Sequence, residues 1–128
     1  MKLIVKEAFD AAHQLRDYEG PCATMHGHTW VVDVVLVPAV GSVTPGLSID
    51  FKLAREMVRA ELPDHRTLNA VYAFNPTAEN LAVEFGERLT RRFSGMATVE
   101  SVTVWESPKA AAVASHGIDY EKDEGGAP

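Results

Sequence analysis

The chain has 128 residues, a formal net charge of −6 and 46% apolar residues, with a single cysteine. That length and apolar content fit one compact domain with a sizeable core, and one cysteine can form no internal disulfide. The acidic balance argues against non-specific nucleic-acid binding, which needs clustered Lys and Arg, and no apolar run is long enough to span a membrane.

In chain order, residues 2–13 read as a strand, with Leu3, Val5, Phe9, Ala11 and His13 on one face and Glu7 as the polar exception. The first six residues show a charge at Lys6 and no small-residue cleavage pattern, so they read as strand rather than signal peptide, and a cytoplasmic protein is expected. Residues 14–24 have loop composition, and residues 25–37 form a β-branched second strand. Gly41 to Gly46 is a turn region. Asp50 suits a helix N-cap before an apolar stripe of Leu53, Ala54, Met57 and Val58, a helix that Pro63 ends. Residues 64–76 are irregular, and a second helix runs from about Thr77 to Phe93 with Asn75 or Thr77 as cap. Strands at 97–106 and 110–118 follow. Residues 1–120 are expected to form a single domain and 121–128 a flexible tail. The order β-β-α-α-β-β predicts an α+β fold, an antiparallel sheet with two helices on one face.

His26-Gly27-His28 is the sharpest local pattern. On a strand, residues i and i+2 point to the same side, so both imidazoles project together, on the face that continues as Trp30, Val32, Val34 and Leu36. His13 ends the first strand on that strand's apolar face, and an antiparallel neighbour places it beside His26 and His28. Three neutral imidazoles on a rigid sheet suit a catalytic zinc, which takes three protein ligands and leaves a position open. His116 has no such spacing and is not counted as a ligand.

Cys22 lies four residues before His26, so its thiol can serve as a proton acceptor beside the metal or as a fourth ligand closing the site. Asp64-His65 reads as an imidazole oriented by a carboxylate or as a plain turn after the helix. Glu106 ends an apolar strand, where a carboxylate is either a solvated strand end or a paired acceptor for a ligand's N–H edge. Arg91-Arg92 complements the end of the second helix and is read as structural.

Together these pieces resemble the 6-pyruvoyltetrahydropterin synthase/6-carboxytetrahydropterin synthase family. Phe9-Asp10-Ala11-Ala12-His13 is similar to its F-x-A-A-H, Cys22 to His28 to its C-x3-H-G-H, and Ile49-Asp50-Phe51 to the segment opening its first helix. Asp64 to Asn69 is similar to D-H-x-x-L-N, Asn75 to Ala82 to N-P-T-x-E-N-L-A, and Val104 to Ser107 to the late strand ending in Glu-Thr.

The resemblance implies a tunnelling fold whose subunits join sheets into an oligomeric barrel, a trimer or two stacked trimers, with active sites between subunits. It implies zinc on His13, His26 and His28, Cys22 as base, and His65 oriented by Asp64 as proton exchanger. Glu106 would anchor a pterin, and Thr77, otherwise a helix cap, would touch the ring from a neighbouring subunit. The implied substrate is 7,8-dihydroneopterin triphosphate. The three-residue spacer between Cys22 and His26 is similar to the carboxy-forming members, which also release acetaldehyde and feed 7-deazaguanine (queuosine-type) pathways. The pyruvoyl-forming members, with a longer spacer, are the alternative. Members that cleave dihydroneopterin tend to carry Glu in place of this cysteine. Ser107 in place of Thr and the altered 109–115 segment depart from the pattern and motivate a further alternative, a non-catalytic zinc or pterin-binding protein.

Overall fold

The computed structural model describes residues 1–39 and 46–121. Residues 41–45 of the turn expected at 41–46 and residues 122–128 of the expected tail lie outside them. In chain order the elements are β1 (Leu3–His13), a 3-10 turn (Pro21–Ala23), β2 (His26–Pro38), α1 (Phe51–Arg59), β3 (Arg66–Thr67), α2 (Leu68–Val71), α3 (Ala78–Arg92), β4 (Ala97–Ser107) and β5 (Ala110–Ser115).

The sheet order is β3-β1-β2-β4-β5. β1 with β2, β2 with β4 and β4 with β5 pair antiparallel, as expected, with a register shift between Val35 and Leu36 and another between Trp105 and Ser107. The short β3 corrects the expectation of a purely antiparallel sheet, because it pairs parallel with β1 through Ala11 with Arg66 and Ala12 with Thr67. The chain reaches that edge after crossing over through α1, which allows parallel pairing. The segment expected to be irregular thus holds both β3 and the one-turn α2.

Alternation along the strands defines the core. Val5, Phe9, Ala11, Trp30, Val32, Val34, Leu36, Val102 and Val104 are buried on one face. α1 lies against β1, α3 lies against β4 and β5, and the two helices touch. Asp50 caps α1, its side chain accepting from the Lys52 N–H at 2.9 Å. The stripe expected on α1 is narrower than its sequence implies: Ala54 and Val58 are buried, but Leu53 is exposed. On α3 a full apolar stripe is buried, formed by Ala78, Leu81, Ala82, Phe85, Leu89 and the following Phe93. Each large side chain of this kind contributes roughly 1.5–3 kcal/mol of hydrophobic stabilisation.

Two positions have local reasons that the apolar pattern conceals. Glu7, on the core face of β1, is buried and held by Arg55 and Arg59 of α1, the latter at 2.8 Å. Burial pushes its carboxyl pKa up, yet the hydrogen bonds and charges of Arg59 and Arg55 outweigh that and hold it below the ordinary value. Gly86 sits inside α3, where a Cβ would lie 2.5 Å from the Tyr120 ring, so the glycine lets the C-terminal segment pack against the helix. Tyr120 is fixed there by a hydrogen bond from its hydroxyl to the Val99 carbonyl. β5 stops at Ser115, short of the expected 118, and the chain then turns so that His116 bridges to Tyr120.

Candidate metal centre and flanking acid–base groups

The β1–β2 register sets His13 directly opposite His26 and Ala11 opposite His28. All three imidazoles fall on the core face, at the end of the strands where the apolar row stops. Ring centroids lie 4.6 Å apart for His13 and His26, 5.2 Å for His13 and His28, and 4.7 Å for His26 and His28. Trp30 forms the floor, edge-on to His13 at 4.9 Å and to His28 at 5.3 Å. One ligand atom from each of His13, His26, His28 and Glu106 falls within 4.8 Å of every other.

The hydrogen bonds around the rings show what this group is suited to hold. His13 Nδ1 contacts the Pro76 carbonyl at 2.7 Å, and His26 Nδ1 contacts the Thr24 carbonyl at 2.6 Å. A carbonyl can only accept, so both Nδ1 atoms carry the proton, and in the neutral rings both Nε2 atoms present lone pairs. Those Nε2 atoms are 3.1 Å apart. Two facing lone pairs at that distance repel unless a cation lies between them, and two tetrahedral ligands at ~2.0–2.1 Å from one zinc would stand about 3.3 Å apart. His28 Nε2 is buried with no hydrogen-bond partner, 3.4 Å from Glu106 Oε1. Burial holds the His28 pKa below its usual value, with Glu106 opposing and His13 and His26 adding to the shift, which favours the neutral, ligating form. Oriented imidazoles with carbonyl partners at the far nitrogen are the usual surroundings of a metal ligand. The residues fit a zinc-type cation on nitrogen donors, with Glu106 as a neighbouring oxygen.

Cys22 lies in the 3-10 turn and is half-buried. Its sulfur is not part of the close donor group, so among the described residues the fourth nearby donor is Glu106 and not the thiol.

Asp64 and His65 are brought together as the sequence suggested, with His65 Nδ1 2.9 Å from Asp64 Oδ2. The pair lies along the β1 edge that β3 extends. The Asp10 N–H donates to Asp64 Oδ1 at 2.9 Å, and the His65 N–H donates to the Asp10 carbonyl at 2.7 Å. His65 adopts a left-handed backbone with φ 58°, a conformation uncommon outside glycine that these two bonds hold in place. The Asp10 N–H, then His65, hold the Asp64 carboxyl below its ordinary pKa. Asp10 itself joins this group. Nothing in the spacing of Asp10 signalled that, because the contact crosses 54 residues of chain.

Two clefts share His28. One, of about 560 Å³, runs past Lys6, Thr29, Trp105 and Glu106, and the other, of about 570 Å³, passes Ala12, Gly27, His65 and Arg66. Of the three clustered histidines, His28 alone lines these two clefts. Thr77 caps α3, accepting from the Asn80 N–H at 3.1 Å. His116 packs its ring on Tyr120 and is outside the donor group. Arg92 pairs with Glu61, in keeping with a structural role.

Comparison with known proteins agrees with the geometry. A 6-carboxy-5,6,7,8-tetrahydropterin synthase from Synechocystis sp. is 34% identical over 122 residues, covering 88% of this chain and 92% of that protein. A dihydroneopterin monophosphate aldolase from Pyrococcus furiosus is 32% identical over 107 residues, covering 82% and 89%. The structure of Caenorhabditis elegans 6-pyruvoyl tetrahydropterin synthase superposes with a TM-score of 0.77 at 26% identity, covering 90% of this chain and 94% of that one. The expected tunnelling-type α+β architecture is thus the observed one. The sequence model of 6-pyruvoyl tetrahydropterin synthase matches residues 2–116, a span that takes in the three histidines, Asp64-His65 and Glu106, and the chain belongs to that family.

Proposed function

We propose that the chain is a zinc-dependent lyase acting on 7,8-dihydroneopterin triphosphate to form 6-carboxy-5,6,7,8-tetrahydropterin, with release of triphosphate and acetaldehyde, in 7-deazaguanine (queuosine-type) biosynthesis. The observation that carries the reading is the convergence of His13, His26 and His28, with two Nδ1 atoms committed to carbonyls and the Nε2 atoms turned together. The Synechocystis relative and the three-residue spacer between Cys22 and His26 support the carboxy-forming product.

In this reading His13, His26 and His28 hold the zinc, which when bound supplies Lewis acidity that polarises the side-chain hydroxyls and acidifies the adjacent C–H. Cys22 takes the proton as thiolate. His65, held by Asp64, exchanges a proton at the other end of the bound side chain, with Asp64 kept as carboxylate by the Asp10 N–H. Glu106 accepts from the N–H edge of the pterin in the cleft it shares with His28. Thr77 keeps its capping bond and adds a ring contact from a neighbouring subunit. A homo-oligomer, the trimer or two stacked trimers that the family resemblance implies, would pair the backbone groups that β3 and β5 leave at the sheet edges.

A second reading is favoured by the Pyrococcus furiosus relative: retro-aldol cleavage of a phosphorylated dihydroneopterin between the first and second side-chain carbons. Product analysis decides. Metal-loaded protein given the triphosphate is expected to yield acetaldehyde and 6-carboxytetrahydropterin. Accumulation of 6-pyruvoyltetrahydropterin alone would move the assignment to the pyruvoyl-forming activity. Glycolaldehyde phosphate from the monophosphate would move it to the aldolase, and pterin binding without turnover would leave a binding protein.

A further inference from the structure

The loop carrying Cys22 is bound back to the metal-ligand strands through three successive carbonyls. The Leu15 N–H donates to the Cys22 carbonyl at 3.0 Å, Gln14 Nε2 to Ala23 at 2.7 Å, and His26 Nδ1 to Thr24 at 2.6 Å. The start of the loop is held from its other side. The Asn69 carboxamide accepts from the Gln14 N–H at 2.8 Å and donates to the Gln14 carbonyl at 2.9 Å. Asn75 repeats this on Arg16, at 2.9 and 3.4 Å. A carboxamide carries the same donor and acceptor as a peptide unit, so each asparagine continues the edge pairing of β1 with a side chain where the backbone ladder has ended.

We propose that Gln14, Asn69 and Asn75 are positioning residues whose amides form one frame that sets the Cys22 loop relative to the histidine cluster. The inference rests on the reading of Cys22 as the base. Apolar burial does little to order the loop: between residues 14 and 24 only Leu15, Cys22 and Ala23 are even half-buried, and beyond the turn's own backbone bonds Arg16 Nη1 adds one bond to the Ala73 carbonyl. Fixing each residue costs conformational entropy, which this apolar contact does not offset alone. Asn75 also precedes Pro76, whose carbonyl orients His13, so the frame joins the thiol loop and a metal ligand to one segment.

The test uses the full chain with metal bound and compares Asn69→Ala and Gln14→Met with Asp119→Ala, which removes a remote acceptor of the Ser115 N–H. Three quantities are read: metal content, the iodoacetamide alkylation rate of Cys22 as the sole cysteine, and kcat with KM. The frame variants are expected to keep their metal, to alkylate at least ~5-fold faster, and to lose about 10–100-fold in kcat with KM within ~3-fold. Asp119→Ala is expected to move thermal stability alone. Unchanged alkylation in both frame variants would overturn the proposal, as would loss of metal in step with kcat. Gln14→Met, which removes one exposed bond, carries the test if Asn69→Ala does not fold. If the wild type turns over none of the pterins, the functional reading fails, while alkylation and metal content still report on the frame.

Discussion

The two ends of the helix-covered face follow the same alternation and reach opposite outcomes. Toward β4 and α3 the row is Val32, Val34, Leu36, Val102, Val104, Phe85 and Leu89, buried and apolar throughout. Toward the β1–β2 mouth the same row becomes Trp30, His28 and His26, with His13 opposite, and the buried atoms acquire lone pairs that face one another. The first end is complete as packed hydrocarbon. The second leaves His28 Nε2 buried without a partner, in a donor group that could hold a cation. A single strand pattern thus builds both the stabilising body and the reactive mouth.

His13→Asn is expected to give the largest effect. The shorter side chain can still reach toward the Pro76 carbonyl but offers no Nε2, so bound metal should fall below about 0.2 per chain and turnover by ~10³-fold or more, read by elemental analysis and product assay. Phe85→Ala should do the reverse, lowering unfolding free energy by about 3–5 kcal/mol in denaturant titration while metal content is retained. If either variant moved both quantities equally, the two ends would not be separable. Asp64→Asn sharpens the mouth, because it should leave the metal in place and lower kcat by ~10–100-fold through loss of the carboxylate that orients His65.

Glu7→Gln is the smallest expected change and lies between the two ends. Its folded carboxyl titrates below the ordinary value, so its contribution is present above that ordinary value of ~4.3 and is lost as pH falls through the lowered one. Wild type should exceed the variant by about 1–3 kcal/mol at pH 7, and urea titrations across the acid range should show that gap closing.

The histidine mouth was legible because period two is a strong signal and His-x-His survives any strand register. Both helix caps were legible because Asp50 and Thr77 act within three residues of themselves. The pairing of β3 was not, since Arg66 and Thr67 are two exposed residues with no period to read. Glu7 looked like a break in the pattern because its partners are 48 and 52 residues away on α1. Leu53 fitted the helical stripe by spacing, yet α1 meets the sheet along a narrower line than its composition implies. Asn69 and Asn75 stood in quoted motifs, but carboxamides that substitute for backbone pairing carry no hydrophobic signature.

Trp30 lies beneath the histidines, fully enclosed and edge-on to His13 and His28, while Trp105 is the only other indole in the chain. Trp30 would therefore serve as an optical gauge of a cation held by the histidine cluster. In a Trp105→Phe background, stepwise addition of zinc to chelator-stripped protein should shift the emission of the remaining indole and report occupancy without any substrate, label or turnover.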